Sequence, residues 1–261
     1  MVPIPKSEQR DLHLLTLSTP NGKKVQIALE ELKAIYKTEF SFELVDISTN
    51  VQKTDEFLKL NPNGKKITPF FLGRIPCLID NKAQSLYNSS SPFTVMESAA
   101  ILLYLAKKVD KDNIFGFSDD LERSEALQWL FFGMAGVGPM QGQLNHFGHY
   151  APEKLPYAIK RYHDETLRLY GVIEIHLSGK YTGVKKSYLA GKGEGKYSWA
   201  DIVIWPWVKI YALSGITEEE VLQLPNLKAW LDRIGERPAV KEGSGPKYEQ
   251  VSSQLLLNPE I

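Results

Sequence analysis

The stretch Ser18-Thr19-Pro20-Asn21-Gly22-Lys23-Lys24-Val25-Gln26-Ile27-Ala28-Leu29-Glu30-Glu31-Leu32 decides the fold. Leu12–Leu17, just before it, is short and apolar and suits a buried strand. Thr19 is an N-cap candidate, and Pro20 fits the first helical position, where its missing N–H costs nothing. Val25, Leu29 and Leu32 recur at helical spacing with Ala28 between them, which predicts a helix over Pro20–Tyr36. A strand therefore feeds directly into a helix N-terminus, where unpaired N–H groups and the positive end of the helix dipole gather. Such a place holds an anion, and a thiolate is an anion. Thr19 and Asn21 lie there with side chains that can donate to it. Taken alone, the same residues also read as an ordinary cap followed by a turn.

Outward from this stretch the pattern continues as α/β. Phe40–Ile47 reads as a second strand and Thr54–Leu60 as a short helix or turn closed by Asn61-Pro62-Asn63-Gly64. Strand, helix, strand in this order predicts a parallel pair. Ile75–Asp80 reads as a third strand with Pro76 at its head, a position explained either by a cis Ile75–Pro76 bond or by an edge strand starting on a trans proline. Phe93–Met96 is the fourth strand, and Glu97–Lys108 is a helix with Ile101, Leu102 and Leu105 on one face. From Asp120 the pattern is helical throughout: Leu121–Phe132, Tyr157–Leu177, Trp199–Leu213 and Leu227–Arg233. Gly133–Gly142 is glycine-rich within a helical stretch, which invites a bend or a close approach. The expected organisation is a leader (1–11), an α/β domain (12–108), a linker (109–119), an all-helical domain (120–240) and an extended tail (241–261).

Composition narrows the class. The chain has 261 residues, 43% hydrophobic and 24% charged, which suits a globular protein of two modest domains. Its 31 basic residues balance 31 acidic ones, so charge gives no reason to expect nucleic acid or a membrane as partner. No apolar run reaches the roughly 18 residues of a membrane helix. Met1–Asp11 is polar, with no apolar core for a secretory signal. The lone cysteine, Cys77, excludes an internal disulfide and fits a reducing compartment, so the protein is expected in the cytoplasm. There the acceptor sequence Asn88-Ser89-Ser90 would go unused.

Together these features resemble the cytosolic glutathione transferases, in the branch of the fungal nitrogen-regulator-like (Ure2p-like) transferases and the bacterial nu-class disulfide-bond oxidoreductases. Several motifs carry the resemblance in order: Thr19-Pro20-Asn21-Gly22, Asn61-Pro62-Asn63-Gly64 with Arg74-Ile75-Pro76, and Glu97-Ser98-Ala99-Ala100-Ile101-Leu102. Further along come Trp129-Leu130-Phe131-Phe132, Gly138-Pro139-Met140, Pro156-Tyr157-Ala158-Ile159, Arg161-Tyr162, Ser198-Trp199-Ala200-Asp201 and Trp205-Pro206-Trp207. The resemblance spans roughly residues 12–240. It departs at Lys65–Gly73, which interrupts a motif contiguous in the family, and at Asn81–Pro92, which lengthens the loop before the fourth strand.

The resemblance implies a thioredoxin-like α/β domain followed by an all-α domain, working as a homodimer with glutathione as co-substrate and without metal. It implies that Asn21 and Thr19 stabilise the glutathione thiolate. The thiolate would reduce small disulfides or conjugate electrophiles. Glu97 and Ser98 would take the γ-glutamyl end, Ile75 the peptide backbone, Gln52 the glycyl carboxylate, and Arg161 a carboxylate from the helical domain. The alternative reading is a glutathione-binding regulatory protein with little turnover. That fungal regulator carries a long low-complexity leader, and only Met1–Asp11 precedes the first strand here.

Other residues read as structural. Cys77 follows Pro76 in a buried strand, where a free cysteine is an inert small hydrophobe. His146 and His149 lack a third convincing ligand for a metal. Ser198 and Asp201 form a capping box. Trp129, Phe132 and Met140 suit either a substrate pocket or the core.

Overall fold

The computed structural model describes residues 10–46, 54–61, 63 and 74–249. Gln52 and the Lys65–Gly73 insertion lie outside the described residues. The chain divides into two compact units, residues 1–109 with 238–261, and residues 110–237.

The first unit opens with β1 (Leu12–Thr16), all five residues of which are buried. A strand buried on both faces reads as a continuous apolar run, which is how this one reads. It passes through a tight turn into α1 (Pro20–Tyr36), the range read from the sequence. Then follow β2 (Phe40–Leu44), α2 (Asp55–Leu60), β3 (Cys77–Gln84), β4 (Pro92–Met96) and α3 (Ser98–Lys108). The sheet order is β2-β1-β3-β4. β1 and β2 are parallel, with Leu14 opposite Phe42, and β3 is antiparallel to both β1 and β4. Val25, Ala28, Leu29 and Leu32 of α1 and Ile101, Leu102 and Leu105 of α3 are fully buried. A second cluster joins Leu15, Val45, Phe57, Cys77 and Ile79, so both faces of the sheet are covered. Buried Asp80 in β3 pairs with Lys108 Nζ at 2.5 Å, which ties α3 to the sheet.

Two features differ from the sequence reading. β3 continues past Asp80 to Gln84, where Gln84 meets Pro92 of β4, so much of the expected long loop is an irregular hairpin. Its last residues are polar because they reach solvent, and polarity hid them from a reading based on apolar runs. The segment read as an extended tail from 241 is folded as far as Glu249. It forms α10 (Pro238–Gly243) and a 3₁₀ turn (Pro246–Tyr248). Tyr248 is fully buried and donates its O–H to Glu30 Oε1 at 2.6 Å, and Lys247 Nζ lies 2.5 Å from the same oxygen. A Cβ on Gly243 would stand 2.6 Å from Ile27 Cα, so α10 touches the α1 backbone through a glycine.

The second unit is helical. α4 (Asp120–Phe132), a π-helical turn (Gly133–Val137), α5 (Gly138–Asn145) and a second π turn (His146–Tyr150) run on as one helical stretch. α6 (Pro156–Ser178), α7 (Trp199–Lys209), α8 (Glu218–Leu222) and α9 (Pro225–Gly235) follow. The glycines at 133 and 138 serve close approach: a Cβ on Gly133 would stand 2.6 Å from Ile204 Cγ1, and one on Gly138 would stand 3.0 Å from Trp207 Nε1. At the start of α7, Asp201 Oδ2 accepts from the Ser198 N–H (2.9 Å) and the Ser198 hydroxyl (3.0 Å).

Candidate active site at two helix N-termini

The first unit gathers three chain segments around the tips of α1 and α3. At α1, Thr19 is the N-cap: its Oγ1 accepts from the Gly22 N–H at 3.1 Å, and its carbonyl accepts from the Lys23 N–H at 2.8 Å. Gly22 is fixed by sterics. A Cβ there would fall 2.0 Å from Leu17 O and 2.8 Å from Thr16 Oγ1. The Asn-Gly pair is thus the first turn of the helix pressed against the end of β1, and not a loop. Thr19 and Asn21 are half-buried. Asn21 Oδ1 accepts from Lys24 Nζ at 2.9 Å.

Lys24 is 1% exposed. Burial pulls its pKa down to about 7, against the opposing pull of the Glu97 carboxylate, which raises it. The sequence reading gave Lys24 no role, although a signal was present. It lies three residues after Asn21 and four before Ala28, so it stands in the apolar stripe of α1 where a charged residue is out of place.

At α3, Glu97 is the N-cap residue with φ 68° and ψ 117°. A non-glycine residue at positive φ is strained, and such strain gathers at functional positions. Glu97 makes no side-chain cap bond. It is exposed, and its Oε1 instead accepts from Asn63 Nδ2 at 3.0 Å. Ser98 follows as the first helical residue and is buried.

The third segment is the approach to β3. Asn61 Nδ2 donates to Arg74 O at 2.8 Å, and Asn61 Oδ1 accepts from the Asn63 N–H at 3.0 Å. Asn61 thereby holds the chain on both sides of the insertion. The Ile75–Pro76 peptide is cis, and Ile75 is half-buried just ahead of β3. Both asparagines belong to the Asn61-Pro62-Asn63-Gly64 motif, whose side-chain roles were not legible from spacing alone.

Thr19, Asn21, Ile75, Glu97 and Ser98 therefore belong to one unit and are linked through Lys24, Asn61 and Asn63. Two helix N-termini in one place provide two anion-binding ends. One of them carries hydroxyl and amide donors, and the other carries a carboxylate for a cation beside a buried hydroxyl. Arg161 belongs to the second unit and is exposed on α6. Glu165 on the same helix pairs with Arg168 Nε at 2.7 Å, with Arg161 adding a weaker charge effect that lowers the Glu165 pKa.

Cys77 is fully buried, and desolvation pushes its thiol up to about 12, far from the range of a reactive nucleophile. Trp129 packs on Phe132 (5.4 Å between centroids) and on the His176 ring (4.4 Å). Among the described residues no group of three or more His, Cys, Asp or Glu is placed to hold a metal, and no helix is long and apolar enough to cross a membrane.

Comparisons with known proteins bear on this arrangement. Residues 19–108 match the family model of the glutathione S-transferase N-terminal domain, and residues 142–238 match that of the C-terminal domain. The disulfide-bond oxidoreductase YfcG of Escherichia coli is 38% identical over 221 residues, covering 85% of this chain and 88% of that protein. A glutathione transferase homolog from Lodderomyces elongisporus, solved with two glutathione per subunit, has a TM-score of 0.75 at 35% identity, covering 90% of this chain and 98% of that one. The glutathione transferase URE2P6 from Phanerochaete chrysosporium, solved with oxidized glutathione, has a TM-score of 0.74 at 34% identity, covering 92% and 96%.

Proposed function

This chain belongs to the glutathione transferase family, and from that premise we propose that it is a glutathione-dependent disulfide-bond oxidoreductase whose co-substrate thiol is activated at the tip of α1. The observation that carries this reading is the convergence of the two helix N-termini. Lys24 bonds Asn21 at the start of α1 and feels the charge of Glu97 at the start of α3.

In this reading Glu97 pairs with the γ-glutamyl amine of glutathione. Ser98 and the first N–H groups of α3 take its carboxylate, and the backbone of Ile75 pairs with its peptide. Gln52 and Arg161 are assigned to its carboxylates on the family resemblance alone. The sulfur then lies by Thr19 and Asn21.

Magnitudes decide what those two must supply. A cysteine-type thiol has a pKa of about 8.5, and a mainly ionised thiol at neutral pH needs a fall of about two units, or about 3 kcal/mol. A helix N-terminus gives at most about 2 kcal/mol. A hydrogen bond to the charged sulfur adds about 1.5–3 kcal/mol, so the dipole needs at least one side-chain donor. The Thr19 oxygen accepts from Gly22, and the Thr19 hydroxyl and the Asn21 amide are the side-chain groups of donor chemistry at this tip.

The thiolate attacks one sulfur of a small disulfide RSSR. A mixed disulfide forms and RS⁻ leaves, taking a proton to become RSH. A second glutathione thiolate attacks the mixed disulfide at the glutathione sulfur and releases the second RSH. Two glutathione molecules are oxidised to the disulfide and one RSSR is reduced to two RSH, so electrons balance without a protein cysteine. The same thiolate can attack an electrophilic carbon, which is the conjugation activity.

We further assign the protein to the cytoplasm as a homodimer. The test is to measure hydroxyethyl disulfide reduction and conjugation of an aryl halide on one sample. Disulfide turnover that is lost in Asn21→Ala, with glutathione still bound, supports the reading. Glutathione binding without either turnover favours a regulatory protein.

A further inference from the structure

Lys24 is a buried cation that the chemistry above does not use. Its stem lies in the apolar stripe of α1 and its ammonium meets Asn21 Oδ1 at 2.9 Å. A buried charge is costly, and a Met of similar length would fill the same space without that cost. Packing therefore gives no reason for a lysine here. The contact gives one.

An ammonium has three donors and no acceptor, while an amide has an acceptor edge and a donor edge. Either edge of an asparagine can in principle face a ligand, and the two faces fit opposite ligands. The donor edge suits a thiolate and the acceptor edge repels it.

We propose that Lys24 is a positioning residue: by holding Asn21 Oδ1 it keeps the Asn21 N–H₂ edge turned to the co-substrate sulfur, and its charge reaches the thiolate through that amide. This deepens the reading of Asn21 given above and rests on it. The Glu97 carboxylate acts on Lys24 and opposes the effect of burial. Glutathione and Lys24 are then coupled in both directions. A bound thiolate favours the ammonium, and the ammonium favours the thiolate. The site is assembled for an anion that arrives with the substrate, which explains why an otherwise costly cation stays buried beside a polar helix tip.

The test is a double-mutant cycle on the full chain with Lys24→Met and Asn21→Ala, read by three measurements. These are kcat/KM for hydroxyethyl disulfide, the ultraviolet thiolate titration of bound glutathione, and Tm. Expected for Lys24→Met is an unchanged or higher Tm, kcat/KM down about tenfold, and the bound-thiol pKa raised by about one unit, which is the same factor of ten in thiolate. In the Asn21→Ala background Lys24→Met should cost less than about twofold, because the residue it acts through is gone.

A tenfold loss that persists without Asn21 overturns the proposal, as does a bound-thiol pKa that Lys24→Met leaves unmoved. So does a loss of activity that follows a lowered Tm and is recovered on cooling, since that marks a structural role. Asn21→Ala at the wild-type rate sinks the parent reading instead, and so separates the two failures. Should Lys24→Met not fold, the wild-type protein answers. The Asn21 side-chain amide resonances should shift with the titration of Lys24 Nζ and with glutathione binding, and indifference to both overturns the proposal.

Discussion

Trp230 donates its indole N–H to Asp201 Oδ1 at 2.8 Å, and neither side chain is exposed to solvent. The same oxygen accepts from the Leu189 N–H at 3.1 Å, while the other carboxylate oxygen caps α7 through Ser198. One carboxylate thus joins α7, α9 and the segment before α7.

Asp201→Ala leaves at least three buried donors unpaired, each worth about 1–3 kcal/mol, so a loss of several kcal/mol in urea unfolding is expected. Burial outweighs the four hydrogen bonds and raises the Asp201 pKa to about 6. Between about 4 and 6 the folded state therefore holds more protons at this site than the unfolded state. The wild type should lose stability relative to Asp201→Asn as pH rises through that window. A flat difference between the two proteins across it would refute the assignment.

Cys77 is expected to resist a thiol-exchange reagent in the native state and to react once the protein is denatured, because its thiol is fully buried and pushed up to about 12. Cys77→Ala removes the protein's single sulfhydryl and should leave disulfide reduction within about twofold of wild type, the sulfur being borrowed from the co-substrate. Loss of turnover with the fold intact would make the protein thiol a participant.

Glu97→Gln keeps an acceptor for Asn63 but removes the charge proposed to meet the γ-glutamyl amine. Charge-assisted hydrogen bonds contribute about 1.5–3 kcal/mol, so KM for glutathione should rise about ten- to a hundredfold. Steady-state kinetics varied in glutathione read the rise in KM, and kcat should fall as well, because Lys24 loses the carboxylate that opposes its desolvation. An unchanged KM would remove Glu97 from the binding site.

Gly22→Ala drives a methyl group onto Leu17 O, 2.0 Å away in the present backbone. The α1 tip has to shift to admit it. A stability loss of about 1–3 kcal/mol is expected in chemical denaturation, with disulfide turnover falling further than stability alone explains. A variant with wild-type Tm and turnover would show the tip to be tolerant.

Much of the first unit was legible because its elements announce themselves locally. Thr19 and Pro20 mark the start of α1, and its apolar spacing runs through Val25, Ala28, Leu29 and Leu32. The helical domain announced itself in the same way, through Leu169, Ile173 and Leu177 on one face of α6. What spacing did not show are features defined by distant partners. The charge of Lys24 in the apolar stripe of α1 marks it as out of place, but its partners Asn21 and Glu97 are not legible from spacing. Asn61 and Asn63 read as turn residues, yet their amides hold Arg74 and Glu97. Nor does spacing show that the Glu97 backbone turns to positive φ and that its carboxylate meets Asn63. The residues after Lys241 have weak periodicity, and their order comes from Glu30, more than two hundred positions earlier.

That last return has a bearing on how the molecule is made. A ribosome releases α1 before the helical unit, and Gly243 and Tyr248 only after it. Until then the backbone of Ile27 lacks its cover and Glu30 lacks the phenol and ammonium that meet it. The nascent first unit stays open while the whole helical unit is translated. A gene cut after residue 109 would encode a thioredoxin-like half stripped of its own brace, better rescued by grafting residues 238–249 back on than by restoring the helical unit alone.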